Sequence, residues 1–378
     1  MGGQAVVAIP GVDLARPGVY VHVPFCTHRC DYCAFTTYTD RAHLIDTYVD
    51  ACISHVRRLR ADGELGEAAT VYVGGGTPSL VPAASLARLL DAVPRAANAE
   101  VTVEVNPDSI DAAALATLRA AGVTRVSVGV QSTRPNVLAA LGRTHGRDNV
   151  VRVVDALADV SMPTWNLDLI VGADGESDAD LAATLDDVLG LAPPHLSVYG
   201  LTVEPGTPLA RRVADGATPA PDPDVQAARL LAADARLAGA GLDWYEVSNW
   251  ARPGHECRHN LGYWAGADCV AVGAAAHGHR DGARWANVAT PEEYVRRVAE
   301  GLDPRGTVEE ATPAERLRER TGLALRTRWG AEVAGVDPVR LAALVEGGLV
   351  TLDDGRVVAT QAGRLLVSEL TVALWPDL

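Results

Sequence analysis

The sequence predicts an α/β protein built on a partial or full TIM-like (β/α) barrel, with a smaller α+β domain at its C-terminal end. Short apolar or alternating stretches typical of strands recur between residues 19 and 201, and stretches with helical spacing separate them. The composition changes at Thr312, where a second domain is predicted to begin. A chain of 378 residues has room for an α/β domain of about 250 residues and a smaller one.

The predicted elements alternate as repeated βαβ units do. The strands are Val19–Val23, Ala69–Val73, Val101–Val105, Arg125–Val130, Asn166–Val171 and His195–Leu201. The helices are His43–Leu59, Ser85–Val93, Ala112–Ala121, Arg134–Leu141, Asn149–Leu157, Asp178–Leu191 and Val225–Ala240, and an exposed connector, Ala217–Asp224, precedes the last one. In a parallel barrel the loops that carry chemistry converge at the C-terminal ends of the strands, so the side chains there are expected to lie together.

The C-terminal region has the order helix, helix, hairpin, helix. Its predicted parts are the helices Ala314–Leu325 and Pro338–Glu346, a hairpin that turns at Asp354-Gly355, and a final helix, Gln361–Leu374. Helices followed by a two-stranded wing are typical of winged-helix domains. We therefore predict a barrel core over residues 1–220, a barrel extension over 221–305 and a winged-helix-like domain over 306–378.

The charge and hydropathy of the chain exclude several classes of partner. A formal net charge of −15 and a pI near 5.1 argue against nucleic acid or an anionic membrane as the main partner. No apolar run approaches the ~20 residues of a membrane span, and the N-terminal segment lacks a charged region before its short apolar stretch. The prediction is a soluble, cytoplasmic protein, for which peripheral membrane contact and a homodimer stay open.

Three cysteines follow the first predicted strand. Cys26, Cys30 and Cys33 have the spacing C-x3-C-x2-C, and Pro24 closes the strand before them. Three soft sulfur ligands on one short loop suit an iron–sulfur cluster. A [4Fe-4S] cluster on three cysteines leaves one iron open to a chelating ligand, such as the amino and carboxylate groups of a methionine moiety.

The cysteines could also serve other roles. A zinc site would need a fourth ligand, for which His22, His28 and Cys52 are candidates. Disulfides are disfavoured because thiols in the cytosol stay reduced. Cys52 lies in a helical pattern and is predicted to be buried, and the isolated Cys257 and Cys269 are predicted to be core residues.

Polar residues stand at the ends of the later strands. The segment Gly74–Ser79, GGGTPS, lets a ligand approach the backbone closely. Glu104 and Asp168 are acids within apolar strands, where each must find a partner or face a polar cavity. Gln131 ends the fourth strand, and Arg143 follows it. Together these positions predict one polar pocket.

The cysteine spacing, with an aromatic residue just before the last cysteine, resembles the radical S-adenosylmethionine (SAM) superfamily. Within it, the chain resembles the oxygen-independent coproporphyrinogen III oxidase (HemN-like) proteins from about Tyr20 to Gly278. The resemblance implies a [4Fe-4S] cluster on the three cysteines, with SAM on the open iron. It implies contacts to a first SAM from Tyr20, Gly75 and Glu104. Contacts to a second SAM, as in the oxidase, would come from Tyr32, Gly76, Thr77, Gln131, Arg143 and Asp168, and whether one or two are bound stays open.

The segment Arg258–Trp264, RHNLGYW, matches the HNxxYW signature of the haem-chaperone (HemW-like) branch of these proteins. The resemblance implies a haem site formed by His259, Asn260, Tyr263 and Trp264. His277 and Cys257 are reserve candidates for the iron ligand, because they are the nearest imidazole and soft donors in the sequence. From the residues alone, the same four side chains could instead satisfy buried backbone and pack in the core. An iron-ligating histidine is neutral, so haem binding would weaken below a pH of about 6.5.

The resemblance implies a haem chaperone that binds a cluster, SAM and haem, takes an electron from a reductant and delivers haem to recipient haemoproteins. The alternative is an enzyme of porphyrin biosynthesis, the oxygen-independent coproporphyrinogen III oxidase. The oxidase pattern has a further cysteine two residues after the third, where this chain has Phe35, and a longer extension before Tyr20. A zinc-stabilised adaptor is a third hypothesis.

Overall fold

Six parallel strands form the centre of the fold in the computed structural model, which describes residues 9–333 and 336–375. These strands are β1 Gly18–Val23, β2 Ala68–Gly75, β3 Arg95–Val105, β4 Arg125–Gln131, β5 Thr164–Val171 and β6 His195–Gly200. They pair in sequence order, and among the described residues no pairing joins β6 to β1. Of the two predicted forms, the barrel is therefore the partial one. The sequence analysis found no charged region before the short apolar stretch of the N-terminal segment, and part of that segment lies outside the described residues.

Six more strands extend this sheet to twelve. They are β7 Asp243–Glu246, β8 Asn249–Ala251, β9 Cys269–Val272, β10 His277–Arg280, β11 Ala283–Asn287 and β12 Arg305–Glu310. β9 lies parallel to β1 and continues through β10 and β11 to β12, while β8 and β7 lie beyond β6. The predicted boundary between residues 305 and 306 falls within β12, which pairs with β11. The three-domain division remains a prediction.

Helices cover the sheet and form most of the C-terminal region. Those of the barrel and its extension are α1 Ile45–Ala61, α2 Ala83–Ala92, α3 Ala112–Ala120, α4 Pro135–Ala140, α5 Arg147–Asp159, α6 Asp178–Gly190, α7 Pro208–Ala214, α8 Pro223–Gly239, α9 Arg258–Trp264 and α10 Pro291–Ala299. The C-terminal elements are α11 Pro313–Ala324, β13 Ala331–Glu332, α12 Pro338–Glu346, β14 Val350–Asp353, β15 Arg356–Ala359, α13 Gln361–Arg364 and α14 Val367–Leu374. None of the described helices is long and apolar enough to cross a membrane.

The prediction of a single final helix over Gln361–Leu374 is wrong, because the chain forms two short helices there, α13 and α14. Gly363 in α13 lies so close to the Leu349 carbonyl that a Cβ would overlap its oxygen. At Leu366 the backbone leaves the helical conformation, with φ −120° and ψ 26°. The break lets α14 direct Leu370 and Leu374 into the core that the C-terminal elements share with β7, β8 and α9. The backbone at Leu366 therefore interrupts what the sequence shows as one continuous helical pattern.

Side chains alternate between the two faces of the parallel strands. Val19, Val21, Val71 and Val73 belong to the main apolar core, which includes buried residues of α1 and α2. The residues between them, such as Tyr20, point to the opposite face, the interior of the partial barrel. The strands therefore carry an apolar outer layer for folding and a polar interior for function.

A buried ion pair joins Glu100, in the middle of β3, to Arg125, the first residue of β4. The Arg125 Nε is 3.3 Å from Glu100 Oε2, and the two side chains are 1% and 6% exposed. The Glu100 carboxylate also accepts hydrogen bonds from the backbone N–H groups of Arg258 and His259, at 3.2 and 3.0 Å. Burial opposes ionisation, but the Arg125 charge and these N–H groups outweigh it and lower the pKa of Glu100. The pair thus fastens α9 to the barrel.

Replacing Arg125 with Met should destabilise the protein by about 3–5 kcal/mol, because it leaves Glu100 buried without its counter-charge. The matched control is Arg88→Met, which breaks an ion pair with Asp50 whose side chains are both 60% exposed. That change should cost at most about 1 kcal/mol. The free energy of unfolding in urea measures both, and equal losses would contradict the role assigned to the buried pair.

Candidate functional site

The cysteine loop is closed at its base by backbone contacts. The Cys26 N–H donates to the Tyr38 carbonyl at 3.1 Å, and the Tyr38 N–H donates to the Pro24 carbonyl at 2.7 Å. Phe25 is buried, and its ring meets the edge of Tyr48 at 5.2 Å between centroids. The loop therefore leaves β1 in a fixed direction and carries its cysteines at the C-terminal ends of the strands.

Two glycines at the end of β2 hold the loop from the other side. The Gly76 N–H donates to the Val23 carbonyl at 2.7 Å, and a Cβ on Gly76 would come within 2.6 Å of the Phe25 carbonyl oxygen. Gly75 has φ +110°, and a Cβ there would overlap the His22 ring. Only glycine fits such positions. The glycines predicted to face SAM thus also shape the cysteine loop.

The three thiols of the loop are free and partly exposed. The Thr77 hydroxyl donates to Cys26 Sγ at 3.5 Å, and the Arg143 Nη1 donates to Cys30 Sγ at 3.6 Å. Burial raises the pKa of Cys26 and of Cys33. Because thiolates are the metal ligands, metal binding here must release protons.

The candidate fourth ligands for zinc are engaged elsewhere. The His22 ring contacts the Tyr20 hydroxyl at 3.0 Å and the Thr36 carbonyl at 2.9 Å. His28 Nε2 lies 3.1 Å from the Gly142 carbonyl, and Cys52 is fully buried in the main core. Within residues 9–333 and 336–375, no three His, Cys, Asp or Glu side chains converge on a site for one metal ion. A cluster binds each thiolate at a separate iron, so this donor set fits a three-cysteine [4Fe-4S] cluster.

Glu104 is held in the barrel interior by two hydrogen bonds. The Tyr72 hydroxyl donates to Glu104 Oε1 at 2.8 Å, and the Gly75 N–H donates to Oε2 at 3.1 Å. Burial, with a smaller contribution from the charge of Asp168, raises the pKa of Glu104 to about 7. The carboxyl group is therefore poised to ionise when a cation binds beside it.

Asp168 lies in the same interior. Its carboxylate accepts hydrogen bonds from the Ser127 hydroxyl at 2.7 Å and from the Asn166 amide at 2.9 Å. Burial raises the pKa of Asp168 above its usual value. Since its charge also acts on Glu104, the two acids share one polar environment, as their strand positions predicted.

Arg143 joins this interior to the cysteine loop. Its Nη2 donates to the Gly129 carbonyl at 2.7 Å and to Asn106 Oδ1 at 2.9 Å, while Nη1 reaches Cys30. Gln131 has φ +64°, and its buried Oε1 has no hydrogen-bond partner among the described residues. A buried acceptor of this kind is suited to a ligand N–H or O–H group.

Sequence reasoning missed several residues of this site, of which Asn106 and Tyr72 are the clearest. The Asn106 amide donates to Thr77 Oγ1 at 3.2 Å and accepts from Arg143. It directly follows β3, so its place at a strand end could have revealed it. Tyr72 was hidden in an apolar strand, although alternation along β2 puts it on the same face as Gly74. Tyr32, which was predicted, is part-buried against the apolar cluster of Val137 and Leu141.

The RHNLGYW segment forms α9, which lies at the opposite ends of the strands from the cysteines. His259 is buried; its Nδ1 lies 2.8 Å from Thr70 Oγ1 and its Nε2 lies 3.1 Å from the Tyr263 hydroxyl. Trp264 packs against the C-terminal core, and Asn260 is part-buried. The cavity beside this histidine and tyrosine has a volume of about 30 Å³. Such a volume holds about one water molecule, whereas drug-sized ligands occupy about 300–1,000 Å³.

This geometry favours the structural role that the sequence left open for α9, and the haem site remains a prediction. Burial lowers the pKa of His259 to about 4. The expected loss of haem binding near pH 6.5 assumed an ordinary imidazole, and it stays a prediction, whereas the buried ring of this structure has a lower pKa. The neutral form persists down to a pH of about 4.

Replacing Gly76 with Ala should destabilise the protein by about 1–3 kcal/mol, because the added Cβ forces the end of β2 away from the cysteine loop. The three loop thiols should then react faster with a thiol reagent. Gly190→Ala is the matched control, because Gly190 ends α6 and a Cβ added there would have nothing within 4 Å. Thermal unfolding and thiol reaction rates measure both variants. Unchanged rates in Gly76→Ala would contradict the role of this glycine in the loop.

Two family profiles match the chain. The radical SAM superfamily matches residues 20–188, and the HemN C-terminal domain matches residues 308–366. The chain is 43% identical to the Heme chaperone HemW of Mycobacterium tuberculosis, over 98% of each protein. It is 31% identical to the Heme chaperone HemW of Bacillus subtilis, over 95% of this chain and 99% of that protein.

A solved structure shares the fold. The coproporphyrinogen III oxidase (HemN) from Escherichia coli, whose structure is described as a radical SAM enzyme, superposes with a TM-score of 0.82. The superposition covers 96% of this chain and 91% of that one, with 25% sequence identity. The predicted fold class, a TIM-like radical SAM barrel with a smaller C-terminal domain, is confirmed.

Proposed function

Because the chain belongs to the HemW family of the radical SAM superfamily, we propose that it is a haem chaperone that binds a [4Fe-4S] cluster, SAM and haem and delivers haem to recipient haemoproteins. The observation that carries the proposal is the 43% identity over 98% of each chain to a protein named as a haem chaperone. Identity to the oxidase is lower, at 25%. A cytoplasmic location, a reductant for the cluster and a homodimer are further parts of the proposal.

The cluster would be held by Cys26, Cys30 and Cys33. When bound, it would supply the electron that can cleave the C–S bond of SAM. The chain's own contribution is to close the loop at its base and to place the donors of Thr77 and Arg143 against two of the sulfur atoms. Hydrogen bonds to sulfur tune the electronic properties of such clusters.

SAM would bind in the barrel interior beside the open iron. Tyr20, Gly75 and Glu104 would contact a first molecule, and the Glu104 carboxylate suits its ammonium or sulfonium charge. A second molecule would contact Tyr32, Gly76, Thr77, Gln131, Arg143 and Asp168. The unpartnered Gln131 Oε1 supports a ligand on that side. The number of SAM molecules bound per chain, one or two, is to be measured by titration.

For haem, His277 is a better iron ligand than Cys257. His277 is exposed, whereas Cys257 is 4% exposed and lies 3.6 Å from Glu100 Oε1. Burial raises the pKa of Cys257, which keeps its thiol protonated. Haem binding by His259 would require α9 to move and one of its two ring contacts to break.

The oxidase alternative is disfavoured at the cysteine loop. Phe35 stands where the oxidase pattern has a further cysteine, and its side chain is 62% exposed. An exposed aromatic ring beside the cluster loop offers an apolar contact to a partner or a porphyrin. It cannot supply the sulfur of the oxidase pattern.

Anaerobic reconstitution with iron and sulfide should give about four irons per chain in the wild type. The triple variant Cys26→Ala, Cys30→Ala, Cys33→Ala should bind none, because no thiolate remains on the loop. The triple variant Cys52→Ala, Cys257→Ala, Cys269→Ala removes buried thiols only and serves as the control, which should keep the cluster. Iron, zinc and sulfide analysis decides the outcome: zinc in place of iron, or a cluster in the loop variant, would overturn the assignment.

Haem titration under anaerobic conditions tests the chaperone directly. The wild type should bind haem, transfer it to an apo-haemoprotein and make no protoporphyrinogen from coproporphyrinogen at a turnover rate. His277→Ala should weaken binding or shift the Soret band, and His259→Ala at equal cluster content shows whether α9 contributes a ligand. Multiple turnover with coproporphyrinogen would show that the protein is the oxidase and would overturn the proposal of a haem chaperone.

A further inference from the structure

We propose that α9 sets the position of Glu104 from the far end of the barrel, with His259 and Tyr72 as positioning residues for SAM. The inference rests on the proposed function in one respect, the contact between Glu104 and SAM. It gives the RHNLGYW segment a role that does not require haem.

The first step is the fixed position of α9 itself. Glu100 accepts the N–H groups of Arg258 and His259, and it is paired with the buried Arg125. Arg125 also donates to the His255 carbonyl at 2.5 Å, just before the helix. Three strands of the barrel are thereby tied to the start of α9, since His255 also lies 2.9 Å from Thr164 Oγ1 on β5.

The second step is the fixed position of the His259 ring. Both of its nitrogens have partners, Thr70 on β2 and Tyr263 one turn later in α9. Gly18 makes room for it, because a Cβ there would come within 3.2 Å of His259 Cε1. The ring therefore has one orientation at the base of the barrel.

The third step joins this ring to the carboxylate. The Tyr72 ring stacks on the His259 ring, with 5.1 Å between the ring centroids and 26° between the ring planes. It also stacks on the Tyr20 ring, with a centroid distance of 6.2 Å and an angle of 27°. Its hydroxyl donates to Glu104 Oε1 at 2.8 Å. On the far side Gly74 leaves the space that these two side chains need, since a Cβ there would lie 2.9 Å from both. A continuous series of contacts thus runs from α9 to a residue of the SAM site.

Few groups near Glu104 titrate in the relevant range. The titratable side chains that face it are Tyr20 on β1, Tyr72 on β2, Asp168 on β5 and Tyr199 on β6. Burial raises the pKa of Tyr20 and Tyr72, so these two side chains stay neutral and can only donate or accept hydrogen bonds. With the pKa of Glu104 at about 7, its carboxylate is lost as the pH falls through 7. Loss of the Tyr72 donor would raise that pKa further.

The experiment measures the Kd for SAM of cluster-reconstituted protein between pH 6 and pH 9. Tyr72→Phe should raise the Kd about tenfold near pH 7 and move the midpoint of the pH profile upward, while the difference shrinks at pH 9. His259→Ala should act in the same direction, and His259→Phe, which keeps a ring beneath Tyr72, should restore binding. Tyr294→Phe is the control, because that buried hydroxyl on α10 contacts His55 of α1 and neither α9 nor Glu104.

A lower Tm in Tyr72→Phe with an unchanged Kd and pH midpoint would overturn the inference, as would an equal shift in Tyr294→Phe. Failure of the wild type to bind a cluster or SAM would instead overturn the proposed function. Haem titration of His259→Ala separates the two roles of α9: loss of haem binding with SAM affinity intact would assign His259 to haem and contradict the inference.

Discussion

The parallel register of β1 and β2 is the constraint on which the site depends. It places Val23 opposite Gly75, so that the next residue of β2 reaches the base of the cysteine loop. Two backbone N–H groups, from Gly76 and Thr77, then bond to carbonyls of Val23 and Phe25. No side chain except hydrogen fits at Gly76, and the thiols are placed by main-chain geometry rather than by flexible side chains. Because the loop is fixed in this way, its three cysteines need little rearrangement when a cluster binds.

The barrel interior resolves a second physical conflict. Burying an acid within an apolar strand costs free energy unless the carboxylate has partners, and the acids here differ in how many partners they have. Glu100 has a buried arginine and two helix N–H groups, and it closes the base of the barrel. Glu104 has only a tyrosine hydroxyl and one N–H group, which leaves its pKa raised. The satisfied acid supports the fold, and the incompletely satisfied one is suited to bind a cation.

The sequence predicted those features that arise from local patterns. Strand alternation, the cysteine spacing and the glycine run led to a barrel, partial or full, and to the loop at the end of β1. It could not predict contacts made over long separations, such as Arg143 against Cys30 or α9 against Glu100. The sequence missed residues 95–100 of β3, because they mix alanine with polar residues and show no apolar alternation. The final helix breaks at Leu366, between Gly363, which packs against the Leu349 carbonyl, and the buried Leu370, and no helical pattern reveals that packing. The haem prediction for His259 rested on the match to the HNxxYW signature, and a sequence motif does not show that the ring is buried with both nitrogens engaged.

Pulsed EPR of the reduced, reconstituted protein with isotopically labelled SAM tests most directly whether three cysteines leave one iron open. SAM labelled with ¹⁵N in its amino group and ¹⁷O in its carboxylate is added to wild-type protein, and the hyperfine couplings of the cluster signal are recorded. Couplings to both labels are expected, since both groups would chelate the open iron. An intact cluster that shows neither coupling would contradict the three-cysteine site and the placement of SAM in the barrel interior.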